Sequence, residues 1–151
     1  MRILKIHPIK GRNRYSHYPV IEMDLDLERY DGVDCTRLPG FVGRLLEKVP
    51  TLAEHHCSLG FPGGFKQRLF EGTYLGHIVE HLALELQAMV GMRVVYGRTR
   101  QLHGSTYRVV FEYDCLEVGR QAAVLAVQGI SRLAAGEDWD CKAACSQLEE
   151  L

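Results

Sequence analysis

Several things that this sequence lacks narrow what it can be. No run approaches the 18 or so uninterrupted apolar residues of a membrane-spanning helix. The opening Met1 to Tyr15 returns to basic and polar residues after a few positions, so no signal peptide is expected either. Neither sign of charge prevails: 18 Lys and Arg stand against 19 Asp and Glu, for a formal charge of −1. That balance excludes a nucleic-acid binder relying on bulk charge, although a local basic patch survives the test. There is no CxxC pair among Cys35, Cys57, Cys115, Cys141 and Cys145, and an odd count without an export signal implies reduced thiols in a cytoplasmic protein. Cys141 and Cys145 have the i, i+4 spacing of a soft-metal pair, but free cysteine is ordinarily a small buried hydrophobe. The glycines at 60, 63 and 64 lack the GxxxxGK[ST] pattern, so this stretch is not a nucleotide-binding loop. No repeat, low-complexity tract or linker interrupts the 151 residues, and 46% hydrophobic with 25% charged residues describes one soluble globular domain.

What is present reads as alternating elements. Arg2–Ile6 and Val20–Leu27 alternate polar and apolar residues, with Ile21, Met23, Leu25 and Leu27 on one face, as half-buried strands do. Helical spacing runs over Pro39–Lys48, a short helix is expected over Leu52–His56, and the glycine-rich Leu59–Phe65 follows. The strongest helix covers Thr73–Val90 and stops at Gly91. Arg93–Tyr96 and Thr106–Tyr113 read as strands joined by a Gly97–Gly104 loop, and helices are expected over Glu117–Ala135 and Trp139–Glu150. The order predicts an α+β fold: a small, mainly antiparallel sheet with helices packed on one face. The helical pattern still running at Leu151 suggests a piece of something longer.

On a helical wheel, His77, His81, Leu84 and Ala88 form one stripe flanked by Glu80 and Glu85, with Ile78, Leu82, Leu86 and Met89 opposite. The apolar side should seat the helix in the core and turn the stripe toward a groove or solvent. His77-Ile-Val-Glu-His81 is an HxxEH string, in which two imidazoles one turn apart converge on Zn²⁺ and the glutamate serves as general base. Glu85, one turn beyond His81, is the local candidate for third ligand, with His55, His56 and Glu71 as non-local alternatives. A merely solvated helix face has the same composition.

Three other clusters stand out. Arg98 and Arg100 on the 97–104 segment suit carboxylate or phosphate. Arg12, Arg14, Tyr15 and Tyr18 form a basic, aromatic loop suited to an anionic polymer, and Glu112, after apolar Val109–Phe111, suits a cation. Each also has an ordinary reading as a solvated turn or a structural ion pair.

Met1–Ile6, Glu54–Cys57, Pro62–Phe65, Glu71–Gln87, Gly91-Met92, Gly97–Arg100 and Val109–Tyr113 together resemble the N-terminal domain of cyanophycin synthetases, over nearly the whole chain. These are bacterial, cytoplasmic, ATP-dependent ligases that build a poly-aspartate polymer bearing arginine on each side chain. The resemblance implies that the ATP-grasp-like and Mur-ligase-like domains lie outside this segment, which therefore should have no ATP site, and that the domain holds the polymer near them. It further implies, for some members, a metallopeptidase-like centre that cuts polymer into primers. Carried onto this sequence, His77 and His81 become metal ligands and Glu80 the base. Because the polymer carries both charges, Glu71 and Glu112 are candidates to meet its arginines, and Arg98 and Arg100 its carboxylates. The alternatives are a metal-free tether or an assembly module, and homo-oligomerisation stays open.

Overall fold

The computed structural model describes residues 1–57 and 60–151; Leu59, the first residue of the glycine-rich stretch, lies outside them. Its elements run β1 Arg2–Ile9, β2 Val20–Asp26, α1 Phe41–Lys48, α2 Gly64–Glu71, α3 Leu75–Met89, β3 Gly97–His103, β4 Thr106–Glu112, α4 Leu116–Ala134 and α5 Cys141–Glu149, with 3₁₀ turns at Glu28–Tyr30, Cys35–Arg37 and Pro50–Glu54. The four strands form one antiparallel sheet in the order β1-β2-β4-β3. This is the expected α+β architecture.

Period-two alternation divides the sheet into two unlike faces. Ile21, Met23, Leu25, Val109 and Phe111 are wholly buried on one of them. The helices cover that face: Gly76 of α3 sits over Thr99 and Tyr107, and Gly119 of α4 sits over Ile21 and Tyr113. On the opposite face, Arg108 pairs with both carboxylate oxygens of Asp24, at 2.8 and 3.0 Å, and approaches Glu22 at 3.7 Å. Arg14 reaches the same Glu22 at 3.0 Å, and the Tyr15 hydroxyl donates to it. The basic, aromatic loop thus spends Arg14 and Tyr15 on the sheet.

Two assignments differ from expectation. Arg93–Tyr96 is not a strand, because its amides are claimed by a side chain: Val95 N–H and Tyr96 N–H donate to Glu112 Oε2 at 2.9 and 3.0 Å. The segment expected to be a loop, Gly97–His103, is β3 itself, and Gly104 at φ +52° closes a tight turn into β4. Its charged residues suit a strand at a sheet edge, where one side meets water. Helix α2 was concealed by the glycines preceding it, and the turn at 50–54 is 3₁₀ rather than α. No helix among the described residues is long and apolar enough to cross a membrane.

Candidate metal centre

Helix α3 is an interior helix, packed against α4 on one side and against β3 and β4 on another. Of Leu75 to Gln87, His77 alone is half-buried and the rest are buried; Glu80, His81 and Glu85 are 4, 5 and 8% exposed. The solvated-face reading of the stripe therefore fails. Uncompensated polar groups are costly to bury, so each of these must be accounted for.

The accounting is nearly complete and leaves one focus. Burial holds the imidazoles neutral, lowering His77 to about 4 and His81 to about 2; the charge of Arg68 depresses both further, and the neighbouring histidines add to the effect on His81. His77 Nδ1 lies 3.0 Å from Thr73 Oγ1. His81 Nδ1 lies 3.0 Å from His55 Nδ1, and His55 Nε2 bonds Glu85, which also accepts from the Thr51 hydroxyl. Burial works against the Glu85 charge, but the bonds from His55 and Thr51 outweigh it and keep this carboxyl below its usual range. An ionised carboxylate only accepts. His55 donates to it through Nε2, and the tautomer in which His55 Nδ1 accepts from His81 Nδ1 leaves His81 a lone pair on Nε2. That lone pair points at His77 Nε2, 3.1 Å away, and Cys57 Sγ stands 3.4 Å from the same nitrogen.

Donor atoms of Cys57, His77 and His81 all lie within 4.8 Å of one another. An N–H···N bond from His77 to His81 satisfies this pair by itself, and the same two nitrogens beside a thiol can equally turn their lone pairs to a cation. One sulfur and two nitrogens, with room for a fourth ligand, match the donor chemistry of zinc. Phe65 of α2 stacks on His81, with centroids 3.8 Å apart and planes 12° apart, and meets His77 edge-on at 5.5 Å. Its N–H donates to His55 O at 3.1 Å, which ties the start of α2 to the segment bearing Cys57.

Glu80 stands beside this focus, with Oε1 3.8 Å from His81 Nε2, while Oε2 accepts from Thr99 Oγ1 at 2.6 Å. Burial raises its pKa to about 7, partly offset by that hydroxyl. Gly97 is required there, since a Cβ would come within 2.6 Å of Oε1. A groove of about 610 Å³ opens over the cluster, bounded by His56, Arg68 and Tyr74 on one side and by β3 on the other.

Of the sequence-derived candidates, His77, Glu80 and His81 come together, and Arg98 and Arg100 line the same groove. Glu85 does not share the donor cluster and instead reaches His81 through His55. Glu71 is exposed, bonds Gln67 at 2.8 Å and does not line the groove. Glu112 is 6% exposed and is consumed by Ser16, Val95 and Tyr96, so its role is to clamp the chain ahead of β3. Residue spacing did not single out Cys57, Thr73, Gly97 and Thr99 for the centre, because all four depend on contacts between distant segments.

A family model described as the cyanophycin synthase-like N-terminal domain matches residues 22–135, well over half of the chain. The cyanophycin synthetases of Geminocystis herdmanii and Trichormus variabilis are each 47% identical over 131 residues, covering 85% of this chain but 15% and 14% of those proteins. That of a Synechocystis species is 42% identical across the whole chain and 18% of its own length. The chain thus spans less than a fifth of the length of these relatives.

Proposed function

The chain belongs to the family of cyanophycin synthase-like N-terminal domains, and from that membership and the geometry of the cluster we propose that it binds cyanophycin and cuts it by zinc-dependent amide hydrolysis. The observation that carries this reading is the convergence of half-buried Cys57 and His77 with buried His81, next to the buried carboxyl of Glu80. These three residues would hold Zn²⁺, which supplies Lewis-acid polarisation of a carbonyl and acidifies water. Thr99 fixes one Glu80 oxygen, leaving Oε1 to take the proton of the attacking water and return it to the departing amine. A carboxyl poised at about 7 suits both transfers. Phe65 keeps bulk water off the imidazole stack. Arg98 and Arg100, exposed beside the groove, would receive carboxylates of the polymer. Making the polymer with ATP would belong to the rest of such a protein, working in the cytoplasm.

The test is a digestion. Zinc-loaded protein should release short β-aspartyl-arginine oligomers from cyanophycin, and Glu80→Gln should reduce the rate by a factor on the order of 10³ while retaining polymer and zinc. Equal release by both proteins would reject Glu80 as the base. Protein that holds polymer but no metal would be a tether, the reading favoured by the two exposed arginines alone.

A further inference from the structure

β3 is a sheet edge, paired only with β4, and it borders the groove. Glu112 N–H donates to Tyr96 O at 3.0 Å, and the register continues with Gly97 against Phe111, Thr99 against Val109 and Gln101 against Tyr107. Opposed residues in an antiparallel ladder alternate between pairs that exchange both backbone bonds and pairs that exchange neither. The Tyr96 pair is bonded, so the amides and carbonyls of Gly97, Thr99 and Gln101 point away from β4. Among the described residues these groups have no partner. All three residues line the groove, and Gly97 and Thr99 adjoin Glu80.

We infer that this edge is a docking strand for an extended, α-linked acidic polyamide, which adds to the sheet as a fifth strand and so lays its backbone beside Glu80. The position of the cleaved bond rests on the hydrolytic reading above; the docking does not. From Gly97 to Gln101 the edge spans about 13 Å, enough to pair roughly five residues of the guest. Side chains of an added strand alternate between faces. Those on the α3 side would enter the metal centre, and those on the other would lie next to exposed Arg98 and Arg100, where carboxylates are complementary. The same two arginines disfavour pairing with β3 of a second copy, since cations would face cations.

Backbone N-methylation of the guest tests this without altering the protein. Three peptides of about ten α-linked aspartates are compared for binding to metal-free protein by fluorescence anisotropy: one unmodified, one N-methylated at three alternate central residues, one at three consecutive central residues. Alternate methylation leaves one hydrogen-bonding edge intact; consecutive methylation leaves neither. The first two should bind within about threefold of each other, and the third about tenfold or more weakly. Equal affinity of the two methylated peptides, or failure of the unmodified peptide to bind, overturns the proposal. On the protein side, Gln101→Pro removes one outward N–H while sparing the β4 ladder and should weaken binding about tenfold. Gln101→Ala, which keeps that N–H, should not. Equal effects of the two substitutions, at matched thermal stability, also overturn it. Failure of the hydrolytic reading would appear separately, as zinc-loaded protein that binds these peptides and cuts no polymer.

Discussion

The two faces of this sheet handle charge in opposite ways. On the open face Asp24 and Glu22 are paired with cations: Arg108 grips Asp24 and holds its carboxyl below the usual range, and Glu22, which burial pushes up, is brought low by Tyr15, Arg14 and Arg108. Under α3, burial pushes Glu80 up and His77 and His81 down, and the charge of Arg68 adds to the depression of both imidazoles. A self-compensating network is an ordinary structural device. Groups that burial holds near neutrality, with ligand atoms brought close together, suit a cation supplied from outside, and perturbed groups facing a groove are where function concentrates.

The largest effect that would break this contrast comes from the donors themselves. Cys57→Ala or His81→Ala should reduce zinc content, measured by elemental analysis after dialysis, from one per chain to near zero. Arg108→Met on the open face should leave zinc content unchanged. If Arg108→Met lost zinc as well, the two faces would not be independent.

A smaller effect is expected one step back from the donors. The Glu85–His55–His81 chain fixes which nitrogen of His81 is available, a role that outer partners of ligating histidines commonly fill. His55→Ala and Glu85→Gln should each weaken zinc binding roughly 10- to 100-fold in a competition titration without abolishing it. Complete loss with Glu85→Gln would make Glu85 a ligand in its own right.

The smallest effect is on stability and has a definite sign. The Glu80 carboxyl has its pKa raised to about 7 from 4.5, so its contribution is fully present below about pH 4.5 and is lost as pH rises through 7. In metal-free protein, Glu80→Gln should therefore raise Tm by about 5 °C at pH 8 and by much less at pH 5. The two histidines run the other way, with stability present above pH 6.5 and lost as pH falls toward 4 and then 2. An equal Tm change at both pH values would remove Glu80 from the uncompensated set.

The helical stripe and the HxxEH string were legible because both are local: i, i+4 spacing brings His77 and His81 together in any α-helix. Strands β1, β2 and β4 were legible from alternation. Burial of the stripe was not, because Leu84 and Ala88 beside polar residues suit a groove and a core alike. Nor was β3 itself, since Gly97 and five polar residues read as a loop until Thr99 and Gly97 are found serving Glu80. Glu112 illustrates the limit in reverse: its place after an apolar run suggested a partner for a cation, and its oxygens are occupied by the Ser16 hydroxyl and by the amides of Val95 and Tyr96.

The attachment of Cys57 ahead of α2, with His77 and His81 behind it, has a mechanical consequence. A cation gripping both sides would act as a latch across roughly 20 residues of chain that include the whole of α2. By the loop-closure arithmetic applied to disulfides, such a clasp on an unfolded chain is worth about 3 kcal/mol. Filling the centre would thereby rivet down the helix whose Phe65 roofs it, making α2 the part of the fold whose attachment depends most on what the groove contains.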